Sequence, residues 1–330
     1  LNNSIFGRSV LGLSVAAAFL AGCGAPQAPL AAPGSTPLQA QARAASAAAT
    51  IPVLRPALES LGHKATAPLL YVSNDGEAHN VTVYRADSKD PNPIETISDD
   101  LDFPAGICLD GQGTRYVVDV DGWVAEYPAG KTKPSKIITK GINTPAFCAI
   151  DSKGNLWVTN ISGPNVTEYL PGSTKPHAVI AKGLTYPDGI AIDHSGNMYV
   201  GNGGYNGFGP YSVIVYAHGS KSPSRTITDG VTAPVGVAVD AHGTLYVAND
   251  ATDNVEEYRS GQNEPYQTIT DDMDYPVGLT VNQQGWLYVV NMGSMVVLEF
   301  APGSITPSNR QISKGLYHPE GTAYSPPLLP

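Results

Sequence analysis

The sequence predicts an all-β fold: a six-bladed β-propeller of four-stranded antiparallel blades, its ring closed by the C-terminal strand pairing with the N-terminal blade. Three observations predict it. First, the stretch PVGVAVDAHGTLYVAN, Pro234 to Asn249, returns in the same frame at Pro104, Pro145, Pro187 and Pro276, with successive starts 41, 42, 47 and 42 residues apart. Second, each copy is followed by a third strand ending in an aromatic residue (Tyr84, Tyr127, Tyr169, Tyr216, Tyr258, Phe300) and then by a short fourth strand. Four strands in about 42 residues is the period of a propeller blade. Third, the two ends are complementary fragments. Leu69 to Asn74 has the second strand of the repeat without a first, and Pro319 opens a first strand (PEGTAYS) with no room for a second.

Each element of the repeat has a local cause. Val237, Val239, Leu245 and Val247 are apolar and β-prone, and they flank Asp240-Ala241-His242-Gly243. Asp opens a type I turn and Gly closes it, so the unit reads as a hairpin. Gly/Ser/Pro loops such as Pro171–Pro176 separate the third strand from the fourth, of which Arg225-Thr226-Ile227-Thr228 is typical. Pairing of the Pro319 strand with the Leu69 strand removes the free sheet edges where the chain ends meet.

Residues 1–23 read as a targeting segment: Arg8, an apolar run from Val10 to Leu20, then Leu20-Ala21-Gly22-Cys23, a lipobox-like ending in which Cys23 is the lipidated residue. Gly24 stands where an Asp would signal inner-membrane retention. The expectation is an exported protein of the bacterial cell envelope, lipid-anchored in the outer membrane or at the cell surface. Residues 24–68 are rich in Ala, Pro, Gln and Ser and read as a flexible tether, with the propeller occupying 69–330. A net charge of −10 argues against nucleic acid as a partner. Cys108 and Cys148 fall on the innermost strands of adjacent blades. A bridge between them is conceivable in an oxidising envelope. The preferred reading is two buried small apolar residues, because other blades put Ala149, Ala191 and Ala238, or Ile107 and Ile190, at these positions.

A propeller is symmetric and a binding site usually is not, so positions that break the repeat are the functional candidates. The shared ring Asn74, Asp119, Asn160, Asn202, Asn249 and Asn291 ends each second strand and reads mainly as local backbone hydrogen bonding; Asn202 is also kept as a ligand contact. The residue after each opening Pro begins the innermost strand and should rim the channel mouth: Ala105, Ala146, Asp188, Val235, Val277 and Glu320. Two are charged, and they lie three blades apart, facing across the axis. The residues before each Pro include Phe103, Tyr186, Tyr275 and His318. The longest insertion, Gly203–Tyr211, adds Tyr205 and Phe208 in a glycine-rich loop on the same face. These side chains describe an aromatic mouth for a small molecule or an envelope protein. Phe147 replaces a Gly found in the other five blades and should plug part of the channel. Acidic inter-blade links at Asp99–Asp102 and Asp271–Asp274 read as solvated charge.

The pattern PxGxAxDxxGxLYVxN resembles NHL repeats and, more broadly, the regucalcin/gluconolactonase-like six-bladed propellers, over about residues 69 to 325. The motif is specific for the fold and not for one activity. The gluconolactonase-like resemblance implies a divalent metal, with calcium the candidate. It would be held by a Glu on the ring-closing blade and by Asn or Asp at equivalent positions of other blades. Glu320 and Asp188 match two of these positions, whereas Ala146 and Val235 stand where oxygen ligands would be expected. His318 is the candidate catalytic base. The first expectation is a binding module. The alternative is a metal-dependent, lactonase-like hydrolase on Asp188 and Glu320.

Overall fold

The computed structural model describes residues 67–203 and 210–327. The targeting segment with Cys23, nearly all of the tether, and loop residues Tyr205 and Phe208 lie outside the described residues. Six four-stranded antiparallel sheets form the propeller. We number them I to VI from the blade that holds Leu69–Asn74. The closing strand Pro319–Ser325 is the innermost strand of blade I and pairs antiparallel with Leu69–Asn74, with Leu70 opposite Tyr324 and Asn74 opposite Pro319.

The hairpin turns form as their residues dictate. The Asp110 side chain accepts hydrogen bonds from the backbone of Gln112 and Thr114, and Gly113 closes the turn at a φ of 79°. Asp151, Asp193, Asp240 and Asn282 repeat this arrangement. The tyrosine ending each third strand is buried and donates its hydroxyl to a carbonyl of the link entering its own blade: Tyr84 to Lys314, Tyr127 to Asp99, Tyr169 to Lys140, Tyr216 to Lys182, and Tyr258 to Asp229. Blade VI has Phe300 there and lacks this bond.

The innermost strands pack round the axis closely enough to exclude side chains at one position. A Cβ on Gly236 would lie 1.9 Å from the Val277 carbonyl oxygen, and Gly106, Gly189, Gly278 and Gly321 are similarly confined by the next blade's backbone. Phe147 occupies the equivalent position in blade III. Its ring packs on the buried cluster whose rim members are Val235 and Val277, and on the cluster of blade IV that holds Ile190. It therefore occupies part of the channel, as its departure from glycine predicts. Thr159 secures the substitution by bonding both the N–H and the carbonyl of Phe147.

One expectation is overturned. Cys108 and Cys148 are joined in a disulfide between blades II and III, with Cα atoms 5.8 Å apart. The two residues sit at successive places in the repeat frame, so their side chains leave opposite faces of their sheets. Adjacent blades present opposite faces to one another, and the two sulfurs meet in the seam.

Candidate functional site

The site is built at the mouth where the innermost strands begin. In every blade the opening Pro lies opposite the Asn or Asp that ends the second strand, as with Pro187 and Asn202, so the rim and the polar ring share one face. The pairing register also shifts just after each of these prolines, for example between Pro187 and Ile190. Such bulges re-aim side chains and are frequent beside functional sites. Asp188, Glu320 and their counterparts occupy these bulges.

The polar ring is committed to the scaffold. The side-chain oxygen of Asn202 accepts the N–H groups of Thr185 (2.7 Å) and Tyr186 (3.1 Å). Asn74, Asn160 and Asn249 accept those of Tyr317, Asn143 and Thr232, and Asp119 accepts those of Asp102 and Phe103. Asn291 differs: its amide donates to the Asp272 carbonyl at 2.6 Å, and its side-chain oxygen has no partner among the described residues. By one route or the other each ring residue latches the link entering its blade onto the end of the second strand. Asn202 is buried and its oxygen is spent, which leaves it little to offer a ligand.

The rim carboxylates are not spent. Asp188 is 6% exposed and accepts no hydrogen bond among the described residues. Burial raises its carboxyl far above the usual carboxylate range, and the charges of Glu320 across the axis and of Asp250 raise it further. Glu320 is pushed up to about 8, first by burial and then by Asp75, with His318 opposing the rise. His318 Nδ1 lies 3.6 Å from Asp75 Oδ2 and 3.7 Å from Glu320 Oε1. The Asp75 carboxylate, and Glu320 after it, hold the imidazole above the ordinary histidine range, while burial pulls the other way.

The aromatic candidates occupy equivalent places on alternate blades. Phe103 of blade II is half-buried and meets His79 edge to face at 5.4 Å, Tyr186 of blade IV is half-buried, and Tyr275 of blade VI is 49% exposed. The far end of the axis is different in kind. There a cavity of about 140 Å³ is lined largely by apolar residues of all six innermost strands, among them Ile107, Ile190, Val237, Leu279 and Tyr324. Ionisable groups at the axis therefore collect at the near mouth.

Sequence reasoning missed Asp75 and Asp250. They directly follow the ring residues Asn74 and Asn249, at a position held elsewhere by Val120, Ile161, Gly203 and Met292. The backbone N–H of this position bonds the carbonyl of the residue before the opening Pro in every blade: Asp75 to His318, Asp250 to Ala233, and likewise round the ring. It therefore sits beside the rim. The signal was present, because the position breaks the repeat as the rim position does.

No family model matches the chain, and no curated protein matches its sequence. Among solved structures, the chain is similar to one in the crystal structure of a nidogen/laminin complex, at 16% identity and a TM-score of 0.67, covering 78% of this chain and 98% of that one. It is also similar to a chain of Kuenenia stuttgartiensis hydrazine synthase, at 16% identity and a TM-score of 0.53, covering 67% of this chain and 70% of that one. At this identity the likenesses establish the six-bladed propeller fold.

Proposed function

We propose that the propeller is a binding module of the bacterial cell envelope, tethered through lipid on Cys23, which takes a cationic group of a small molecule or a protein partner at its channel-mouth face. The observation that carries this reading is Asp188, a carboxylate buried at the rim without a hydrogen bond among the described residues and set across the axis from a second carboxylate. A buried carboxylate without a partner is unfavourable, and an incoming ammonium or guanidinium relieves it. Phe103, Tyr186 and Tyr275 offer aromatic faces to such a cation. The likeness to a propeller in a nidogen/laminin complex is compatible with a protein partner.

The alternative, a lactonase-like hydrolase with an axial calcium, is less well supported by the residues present. Calcium takes six to eight oxygens. The amide oxygens of Asn160, Asn202 and Asn249 are engaged by backbone N–H groups, and Ala146 and Val235 are buried and apolar. Asp188 and Glu320 alone do not make that shell.

The test is a thermal-shift screen of organic amines and guanidines against their neutral isosteres, on the purified protein and on Asp188→Asn. Stabilisation by cations only, lost in the variant, is expected. Equal response to the neutral isosteres, or no response to any cation, refutes the reading. Envelope tethering is checked separately by labelled palmitate incorporation, which Cys23→Ser should abolish.

A further inference from the structure

We propose that Asp75, His318 and Glu320 form a divalent transition-metal site at the seam where the propeller ring closes. The site shares Glu320 with the axial pair of the binding face but takes its other two donors, Asp75 and His318, from the seam, and it does not depend on that reading.

The repeat supplies the controls. Three positions meet at the corner of each blade's mouth: the residue before the opening Pro, the residue after it, and the residue following the polar ring. In blade III these are Thr144, Ala146 and Ile161, in blade VI Tyr275, Val277 and Met292, and in blade II Phe103, Ala105 and Val120. The scaffold evidently needs no metal-binding group at any of the three. Blade I alone has one at all three, His318, Glu320 and Asp75, and the fold brings one ligand atom of each within 4.8 Å of the others.

The spacing suits ligands around one ion. His318 Nδ1 is buried and too far from any acceptor among the described residues for a good hydrogen bond, although carboxylate oxygens of Asp75 and Glu320 flank it at 3.6 and 3.7 Å. Metal–ligand bonds of about 2.0–2.2 Å at tetrahedral angles place neighbouring donors about 3.3–3.6 Å apart. Asp75 already accepts the N–H of Gly76 through Oδ1, which fixes its carboxylate and leaves Oδ2 for the imidazole side. Glu320 accepts no hydrogen bond among the described residues, so its oxygens are not committed to the scaffold.

An imidazole nitrogen with two carboxylates suits zinc, manganese or cobalt better than calcium, which prefers an all-oxygen shell. The imidazole is 42% exposed, so water or a ligand atom can complete the shell from the mouth. Asp75 follows the first strand of the propeller, whereas His318 and Glu320 open the last. A bound ion would therefore join the two ends of the domain, more than 240 residues apart in sequence.

The experiment uses the full-length protein dialysed against EDTA and then titrated with Zn²⁺, Mn²⁺, Co²⁺ and Ca²⁺. Calorimetry and thermal unfolding report binding, and the Co²⁺ absorption spectrum reports the donor set. The variants are Asp75→Asn, Glu320→Gln and His318→Thr. The last copies Thr144, which has nearly the same positive φ (48° against 50°), so a folding failure is not expected; the blade III triad H318T/E320A/D75I is a second safeguard. The expected result is one equivalent of Zn²⁺ or Co²⁺ bound, a rise in Tm of about 5–10 °C at a hundredfold excess over Kd, and at least a tenfold loss of affinity in each single variant, with Asp188→Asn unaffected. No uptake of any of these metals overturns the proposal, as does binding that survives His318→Thr. Loss in Asp188→Asn without loss in Asp75→Asn places the ion on the axis and also overturns it.

Discussion

Asp119 gives the sharpest quantitative test of how the polar ring works. It is the one carboxylate in a ring of asparagines, and it is fully buried. It accepts the N–H groups of Asp102, Phe103 and Asp121 at 2.7, 3.1 and 3.2 Å. Blade II also shows why an amide was not used. Asn74 and Asn160 donate their amide N–H to an Asn and a Thr on the third strand, whereas blade II has Trp123 and Ala125 at those places and offers no acceptor. Burial nevertheless outweighs the three hydrogen bonds and raises the Asp119 carboxyl from 3.8 to about 6. A rise of that size corresponds to about 3 kcal/mol. Because the folded-state value lies above the unfolded one, this stability is fully present below pH 3.8, declines as the pH rises, and is gone once the pH passes about 6. Asp119→Asn removes the titration at a fixed cost for its unpaired amide. The prediction is therefore a double difference: relative to the parent, the variant should gain about 2.5 kcal/mol between pH ~4 and pH ~7, or about 5–10 °C in Tm. Urea or thermal unfolding of both proteins across this range measures it, and the fixed cost cancels. Parallel stability profiles would refute the reasoning, because they would mean that water reaches the Asp119 carboxylate in the folded protein.

Three further outcomes follow from the packing. The Cys108–Cys148 bridge closes a loop across 40 residues of separation, so C108A/C148A should lose about 4 kcal/mol by the chain-entropy relation; free-thiol titration should find both sulfurs unreactive until reduction. Phe300→Tyr should gain about 1 kcal/mol by supplying the hydroxyl bond that the other five blades make, here to the Asp271 carbonyl at the equivalent offset, and an unchanged Tm would count against that register. Gly236→Ala should cost about 3 kcal/mol or more, because its new methyl group meets backbone of the next blade and not a movable side chain; a neutral result in urea unfolding would show that the innermost strands can part.

Much of the scaffold was legible because its determinants are local and repeated. The Asp–Gly turns, the alternation of Val and Leu, and the aromatic ending each third strand dictate a blade, and their period dictates the ring. Phe147 was legible for the same reason, as one bulky residue in a column of glycines. The disulfide was half legible: the repeat frame puts Cys108 and Cys148 on opposite sheet faces that neighbouring blades turn toward each other, but composition at these positions fits small buried residues equally well. The Cα separation of 5.8 Å decides the matter. Arg115 escaped as well. It is almost fully buried in the second strand of blade II, where its guanidinium is held by the Pro128 and Lys131 carbonyls and by Glu95. Those partners come from loops and from another blade, so no period announces them.

The candidate site divides along the same line. Asp188 and Glu320 stood out because they break an inward-facing column, and the structure makes them a buried or half-buried pair of raised pKa whose charges act on one another. Asn202 serves the scaffold first, since the N–H groups of Thr185 and Tyr186 engage its side-chain oxygen. Asp75 is invisible to a repeat that ends at the polar ring, because it lies one residue beyond Asn74. Once that position is included, the departures from symmetry no longer scatter. Blade I departs at all three corner positions, blade IV at the rim, and blade V after the ring. Symmetry-breaking charge thus collects at the mouth and is densest where the ends of the chain meet. Stability alone gives no reason for this, because blades II, III and VI form the same corners with apolar, aromatic and hydroxyl side chains. A single acid at one such corner would be ordinary surface variation. Two acids converging on the buried nitrogen of an imidazole, at the seam where the ring closes, are favourable only when positive charge sits between them, carried by a proton on His318 or by the proposed ion.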